Sequence, residues 1–235
     1  SDSPTSITFN ATGDYVFVTL QGNNTIAAFD DLAIRENIGQ SSVWRAATGA
    51  APQASLLDAV NQKLWVKNFM SRDLTSYDLS VFLSNGGIQF NPQTGSTVLH
   101  ESLTVDEFAG KQAFYFAGNN PLGQNEMSFE GYISCASCHL DGSHDGRVWD
   151  FTQRGEGFRN TPDLRGRRGM GHGNVHWSAN FDEIQDVALD IVNHFGGTGF
   201  LPVGQPPNSS LGTPTAMTSP PLYQLSCYVA SLSSD

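Results

Sequence analysis

Residues 6–30, "SITFNATGDYVFVTLQGNNTIAAFD", match a second stretch that begins 48 positions further along the chain, "ASLLDAVNQKLWVKNFMSRDLTSYD" at residues 54–78. The alignment needs no gap. The matched pairs are Val16 with Leu64, Phe17 with Trp65, Val18 with Val66, Ile26 with Leu74, Phe29 with Tyr77 and Asp30 with Asp78. Apolar residues fall at equivalent positions of the two copies, and this indicates an internal repeat.

Each copy has the pattern of short β-strands separated by turn residues. Gly13-Asp14 and Asn61-Gln62 precede one strand, and Gly22-Asn23-Asn24 and Ser71-Arg72 follow it. Four strands in about 45 residues is the size of one β-propeller blade. The repeat therefore predicts two propeller blades over residues 1–95.

The stretch "GDYVFVTLQGNNTIAAFD", residues 13–30, resembles the YVTN family of β-propeller repeats. A tyrosine–valine pair and a closing Phe-Asp carry the resemblance, which extends over about residues 5–80. A propeller closes with roughly four to eight blades, and two blades alone would leave strand edges unpaired. We therefore expect additional blades from a preceding segment or from another subunit.

After about residue 95 the apolar residues follow helical spacing. This change predicts an α+β multidomain chain, with an all-β blade segment followed by a mainly α-helical domain over residues 96–235. Three helices are predicted. The first starts at a capping box formed by Thr104 and Glu107, the second has Asn180 as its N-cap with Glu183 at N3 and stops at Gly196-Gly197, and the third starts at the prolines 220 and 221. A long Gly- and Arg-rich stretch with little regular structure separates the first two helices.

The segment "GYISCASCHLDGSHDG", residues 131–146, contains a Cys-x-x-Cys pair followed directly by a histidine. A zinc site would need two further ligands, and one pair of histidines elsewhere has a suitable spacing. A thioredoxin-like redox disulfide would need a βαβ context, which the sequence lacks. Attachment of haem c uses every member of the motif, because Cys135 and Cys138 would form thioethers and His139 would bind the iron. The motif predicts one covalently bound haem c, with zinc as the alternative.

Four stretches resemble the c-type cytochrome domains related to bacterial di-haem cytochrome c peroxidases, in the variety that is fused behind YVTN propellers in secreted or periplasmic proteins. They are "LTVDEFAGKQAFYF" (103–116), the cysteine segment, "RNTPDLRGR" (159–167) and "HWSANFDEIQD" (176–186). The resemblance covers about residues 97–235. It implies a cytochrome c domain in a periplasmic or extracellular protein. The peroxidases carry two CxxCH motifs, whereas this chain has one, and this difference weakens the enzyme interpretation.

The loop "GRRGMGHGNVHW", residues 166–177, contains three candidates for the sixth iron ligand. We predict His176, because it occupies the position before Trp177 at which related propeller-fused cytochromes carry Met-Trp. Met170 and His172 are the alternatives, and His172 with His176 is also the pair that would complete a zinc site. Three arginines could pair with the haem propionates or form a solvated basic patch: Arg165, Arg167 and Arg168.

Composition narrows the class of partner. The chain has 235 residues, of which 39% are hydrophobic and 15% charged, with a formal net charge of −11. This charge disfavours nucleic acid and anionic membrane surfaces and would suit a cationic redox partner. The longest apolar runs are about five residues, too short to span a membrane. The first residues, "SDSPTSITFN", lack the features of a signal peptide, so we expect that a leader was removed or that the chain is part of a longer one.

The function predicted from these features is extracytoplasmic electron transfer by a single six-coordinate haem c. It would act with a redox partner protein and need no catalytic residues. The alternative is a subunit or fragment of a di-haem peroxidase-like oxidoreductase whose second haem lies elsewhere.

Overall fold

In the computed structural model the chain forms two compact units, Ser1–His100 and Glu101–Asp235. The sequence pattern changes slightly earlier, between residues 95 and 96. The structure describes residues 3–38, 42–87, 92–96, 101–118, 124–212 and 219–234. Its regular structure combines helices with antiparallel sheets, so the expected mixture of α and β structure is confirmed.

Each repeat of the first unit forms a four-stranded antiparallel sheet, as the sequence predicts. The strands and the short helices that follow each third strand are β1 (Pro4–Phe9), β2 (Tyr15–Leu20), β3 (Thr25–Asp30), α1 (Asp31–Arg35), β4 (Trp44–Ala47), β5 (Pro52–Asp58), β6 (Lys63–Asn68), β7 (Asp73–Asp78), α2 (Ser80–Asn85) and β8 (Gln93–Ser96). Both β2 with β6 and β3 with β7 begin and end 48 residues apart. The repeat in the sequence is therefore a repeat of structure.

The two sheets of the first unit pack face to face. Ser55 of β5 hydrogen-bonds with Ser6 and Thr8 of β1, with oxygen–oxygen distances of 3.1 and 2.7 Å. A buried apolar cluster draws its residues from both sheets, from α2 and from the residue that precedes α2: Phe17, Ile26, Ala28, Trp44, Leu64, Val66, Tyr77, Leu79 and Phe82. Alternation of inward and outward side chains along each strand supplies this cluster.

The described residues of the second unit form helices and a hairpin: α3 (Val105–Tyr115), α4 (Cys135–Cys138), β9 (Val148–Phe151), β10 (Gly157–Asn160), α5 (Val187–Asp190) and α6 (Pro220–Ser231). The predicted capping box starts α3, because the backbone N–H of Glu107 donates to Thr104 Oγ1 and that of Thr104 donates to Glu107 Oε2. The predicted prolines occupy the first turn of α6. Among the described residues, no helix is both long and apolar enough to cross a bilayer.

Helices α3 and α6 approach each other closely at Gly110. A Cβ atom there would lie 1.9 Å from the backbone oxygen of Gln224 in α6, so the position has room only for glycine. Four residues further along α3, Phe114 packs edge-on against Tyr228 of α6, with ring centroids 5.2 Å apart. The close approach allows the two helices to form one continuous apolar wall.

The second of the three predicted helices, which we call the middle helix and which contains α5, begins later than the sequence predicts. Phe181 forms a β-bridge with Val175, so the chain is still extended after Asn180. A 3₁₀ turn (Ile184–Asp186) leads into α5, and a π-helical turn (Ile191–Phe195) follows it. The predicted N-cap at Asn180 is therefore wrong, since Glu183 directly precedes the first turn. The end is as predicted, with Gly196 in the left-handed conformation at a φ of 72°.

The β9–β10 hairpin was also not predicted. It lies in the stretch that the sequence indicated to be irregular, and Gly155 closes its turn with a φ of 77°. The remaining short 3₁₀ turns are Gln21–Asn23, Phe129–Gly131, Leu140–Gly142 and Thr152–Arg154.

Candidate functional site

The Cys-x-x-Cys-His segment forms a single helical turn, α4, in the second unit. The backbone N–H of Ser134 donates to Ser137 Oγ at the start of the turn, and that of His139 donates to the Cys135 carbonyl at its end. Cys135, Cys138 and His139 are thereby fixed within one turn. The structure thus holds the three residues of the motif together.

Both cysteines of the motif are half-buried free thiols. Burial raises the pKa of Cys135 to about 12. Burial and, to a lesser extent, the nearby Asp145 carboxylate also raise the pKa of Cys138. Redox-active cysteines of the thioredoxin type need a lowered thiol pKa, so the electrostatics do not favour that chemistry.

His139 is oriented by backbone carbonyls. Its Nδ1 lies 3.0 Å from the oxygen of Pro162 and 3.3 Å from that of Ser143. Carbonyls only accept hydrogen bonds, so Nδ1 carries the proton and Nε2 keeps its lone pair. Burial lowers the pKa of this imidazole despite those bonds. His139 is thus a neutral imidazole with one nitrogen available as a metal ligand.

A cavity of about 360 Å³ adjoins this histidine. Cys135 and His139 are part of its wall, and most of the remaining wall is apolar. The apolar wall residues come from α3, α6 and the segments around the middle helix: Phe114, Pro162, Leu164, Val175, Trp177, Phe181, Ile184, Val187, Leu225 and Val229. A cavity of this size and polarity is typical of a ligand or cofactor site.

Of the three predicted sixth ligands, His176 lines the cavity. Met170 is half-buried and His172 is exposed, and neither belongs to the cavity wall. Cys138 does not line the cavity either, although it shares the helical turn of Cys135. The structure therefore brings Cys135, His139 and His176 to one cavity.

The ring of His176 has four close partners. Its Nδ1 lies 2.8 Å from Oδ1 of Asn180, and its Nε2 lies 3.2 Å from Oδ2 of Asp190. The ring stacks on Phe181 at a centroid distance of 4.4 Å and meets Trp177 at 4.3 Å. The backbone at His176 is left-handed, with a φ of 71°. Sequence reasoning found the residue and missed these contacts.

Asp190 also contacts Arg154 and His194. Its carboxylate forms a close ion pair with Arg154, whose guanidinium lies 4.8 Å from the centre of the Phe151 ring. His194 Nε2 is 3.9 Å from the same carboxylate. Burial would raise the pKa of Asp190, but hydrogen bonds from His176 and Arg154 outweigh it and the pKa is lowered. The carboxylate is therefore ionised and held between these groups.

The three predicted arginines differ in their contacts. Arg165 forms a 2.8 Å ion pair with Asp163, and hydrogen bonds from Arg165 are the main reason that the pKa of Asp163 lies far below its usual range. Arg167 lines the cavity, and its Nε donates to the Asp163 carbonyl at 3.1 Å. Arg168 is exposed. Only Arg167 of the three lies at the cavity wall.

The zinc alternative has no support in the geometry. Within the described ranges, no group of three or more His, Cys, Asp and Glu side chains is arranged to hold a metal ion. A structural zinc site needs four such ligands around one point. The cysteine pair with His172 and His176 does not provide them.

Comparison with solved structures finds several partial likenesses, including the following two. Hydrazine synthase of Kuenenia stuttgartiensis is 22% identical over 33% of this chain and 20% of that one, with a TM-score of 0.30. The β-propeller domain of Myceliophteria thermophila Cps50 (Swd1) is 13% identical over 38% of this chain and 27% of that one, with a TM-score of 0.32. The matched part thus spans less than a third of either structure, and similarity at this level assigns neither fold nor function. No protein-family model and no curated protein matches the chain.

Proposed function

We propose that the second unit is a c-type cytochrome domain that carries one covalent haem c and transfers electrons outside the cytoplasm. The observation that supports this proposal is the apolar cavity with Cys135 and His139 in its wall. The backbone carbonyl at Pro162 holds the imidazole with one nitrogen available. Cys135 and Cys138 would hold the haem by thioethers, and His139 would bind its iron.

The cavity suits a flat, largely apolar group with charged edges. Its aliphatic and aromatic wall would exclude water, and Arg167 at that wall could pair with a carboxylate of the haem. When bound, haem supplies a one-electron redox couple. The protein's own part is to attach the group, exclude water and orient the ring of His139.

His176 remains our candidate for the sixth ligand, because Met170 and His172 lie outside the cavity wall. The alternative function is a subunit or fragment of a di-haem peroxidase-like enzyme. One observation favours it, since both ring nitrogens of His176 already have protein partners and the iron could keep an open position. The two functions differ in whether the protein reacts with peroxide.

The test of the proposed function is a haem assay on the purified protein. We expect one haem per chain to remain with the polypeptide after acid–acetone extraction, reversible one-electron reduction, and no turnover of hydrogen peroxide. Extraction of the haem would contradict the cytochrome proposal. Retained haem together with peroxide turnover would support the enzyme alternative instead.

We further propose that the two sheets of the first unit are blades of a larger β-propeller. Ile7 and Phe9 alternate with the β1 residues that face the second sheet, so they lie on the opposite face, where their side chains are 63% and 56% exposed. On the outer face of the second sheet, Leu56 and Trp65 are 68% and 36% exposed. Phe17, the repeat equivalent of Trp65, is covered by the neighbouring sheet. The repeat therefore suggests further sheets on these faces, from a preceding segment or another subunit.

This proposal predicts that the chain alone associates through its exposed sheet faces. Replacing Ile7 and Phe9 with serine should reduce self-association in sedimentation experiments, because it removes apolar surface from one such face. The control is Val60→Ser, which changes a valine that is 91% exposed in a turn. A wild-type chain that is monomeric at all concentrations would argue against uncovered blade faces.

A further inference from the structure

The sixth-ligand candidate is held in place by the protein itself. His176 contacts the rings of Phe181 and Trp177, and its two nitrogens have oxygen partners on Asn180 and Asp190. A histidine that binds a metal through one nitrogen normally uses the other to donate to an oxygen acceptor. One of the two hydrogen bonds is therefore compatible with metal binding, and the other is not.

Asn180 is the compatible partner. A bond from Nδ1–H to the Asn180 amide oxygen would fix the ring and leave Nε2, the nitrogen further from the backbone, as the less hindered ligand atom. The bond from Nε2 to Asp190 has the opposite effect. It places a proton and a carboxylate at the nitrogen that would bind the iron.

Asp190 can release His176 without becoming an isolated buried charge. Its ion pair with Arg154 does not involve His176, and it would remain if the Nε2 bond broke. The side chains of Asp190 and Arg154 are 17% and 12% exposed, so this pair lies in a mostly enclosed place. The Nε2 bond is therefore one that can break and re-form locally.

We propose that Asp190 and the haem iron compete for Nε2 of His176. With Nε2 on Asp190, the iron would be open to a small ligand. With Nε2 on the iron, the small ligand would be excluded and the proton that Nε2 donated would leave to solvent, while Asp190 keeps its charge and its ion pair with Arg154. Asp190 is thus a positioning residue that selects between the two states, and this inference rests on the proposed haem site.

The test is the affinity of the oxidised holoprotein for azide, read together with its spin state. Asp190→Asn weakens the competing bond, so His176 should occupy the iron, the high-spin fraction should fall, and azide should bind about tenfold more weakly. Arg154→Gln removes the guanidinium from Asp190 and thereby strengthens the hydrogen bond between Asp190 and His176 Nε2. That variant should have a larger high-spin fraction and bind azide more tightly than the wild type.

Two controls separate positioning from a structural role. Asp150→Asn removes the same charge from an exposed residue whose carboxylate accepts from the Thr152 backbone, and it should leave azide affinity unchanged. In a His176→Ala background, Asp190→Asn should have no further effect on azide affinity, because the competing nitrogen is gone. Haem retention, measured for each variant, reports on the proposed function independently.

The inference is overturned if Asp190→Asn changes azide affinity less than about twofold, or if Asp190→Asn and Arg154→Gln shift it in the same direction. If Asp190 and Arg154 had only a structural role, both variants would shift azide affinity in the same direction. If Asp190→Asn does not fold, the test rests on Arg154→Gln. Tighter azide binding by Arg154→Gln than by the wild type supports the inference, and unchanged or weaker binding overturns it.

Discussion

The double substitution of Cys135 and Cys138 by alanine should abolish covalent retention of haem. The wild type should keep its haem through acid–acetone extraction, and the double variant should lose all of it, because the two thioethers would be the only covalent links to the chain. Both cysteines lie on the single turn α4, so the change leaves the His139 imidazole and its bond to the Pro162 carbonyl in place. The measurement is the haem absorbance that remains with the precipitated polypeptide.

Cys227 provides a matched control for this experiment. It is also a half-buried free cysteine, and it lies on α6 rather than in the motif. Cys227→Ala should retain haem as fully as the wild type. Equal retention by the double variant, or loss of haem from the wild type, would contradict the attachment of haem c at this motif.

Features determined by neighbouring residues could be predicted from the sequence. In the first unit, the strands β1–β3 and β5–β7 follow from alternation and from turn residues that recur after 48 positions. The starts of α3 and α6 follow from a capping box and from prolines that act within a single turn. The turn that groups Cys135, Cys138 and His139 is equally local.

Features that depend on distant residues could not be predicted in this way. The start of the middle helix is moved by the bridge between Val175 and Phe181, which takes Phe181 out of the helical pattern. The contact between His176 and Asp190 joins a loop to a helix, and no short spacing in the sequence signals it. The sequence does signal the contact between Asp190 and His194, because residues that are four positions apart in a helical segment lie on the same side of it.

The largest effect on stability should come from Gly110→Ala. The new methyl group would lie 1.9 Å from the Gln224 backbone oxygen and 2.9 Å from the Cβ of Tyr228, and neither helix can yield without moving its backbone. Overpacking that moves the backbone costs about 3 kcal/mol, the upper part of the usual range, which exceeds the gain of about 1 kcal/mol from replacing glycine in a helix. We expect the melting temperature of the second unit to fall by roughly 6–12 °C.

The same substitution should also reach the candidate site, because α3 and α6 supply Phe114, Leu225 and Val229 to the cavity wall. Separating the two helices would admit water beside His139, so the variant should incorporate less haem than the wild type when both are produced alike. Gln112→Ala is the matched control, since Gln112 is an exposed residue on the same helix and alanine is a strong helix former. It should change the melting temperature by no more than about 2 °C. A Gly110→Ala variant as stable as Gln112→Ala would contradict the close packing of α3 against α6 and the cavity wall that the two helices form.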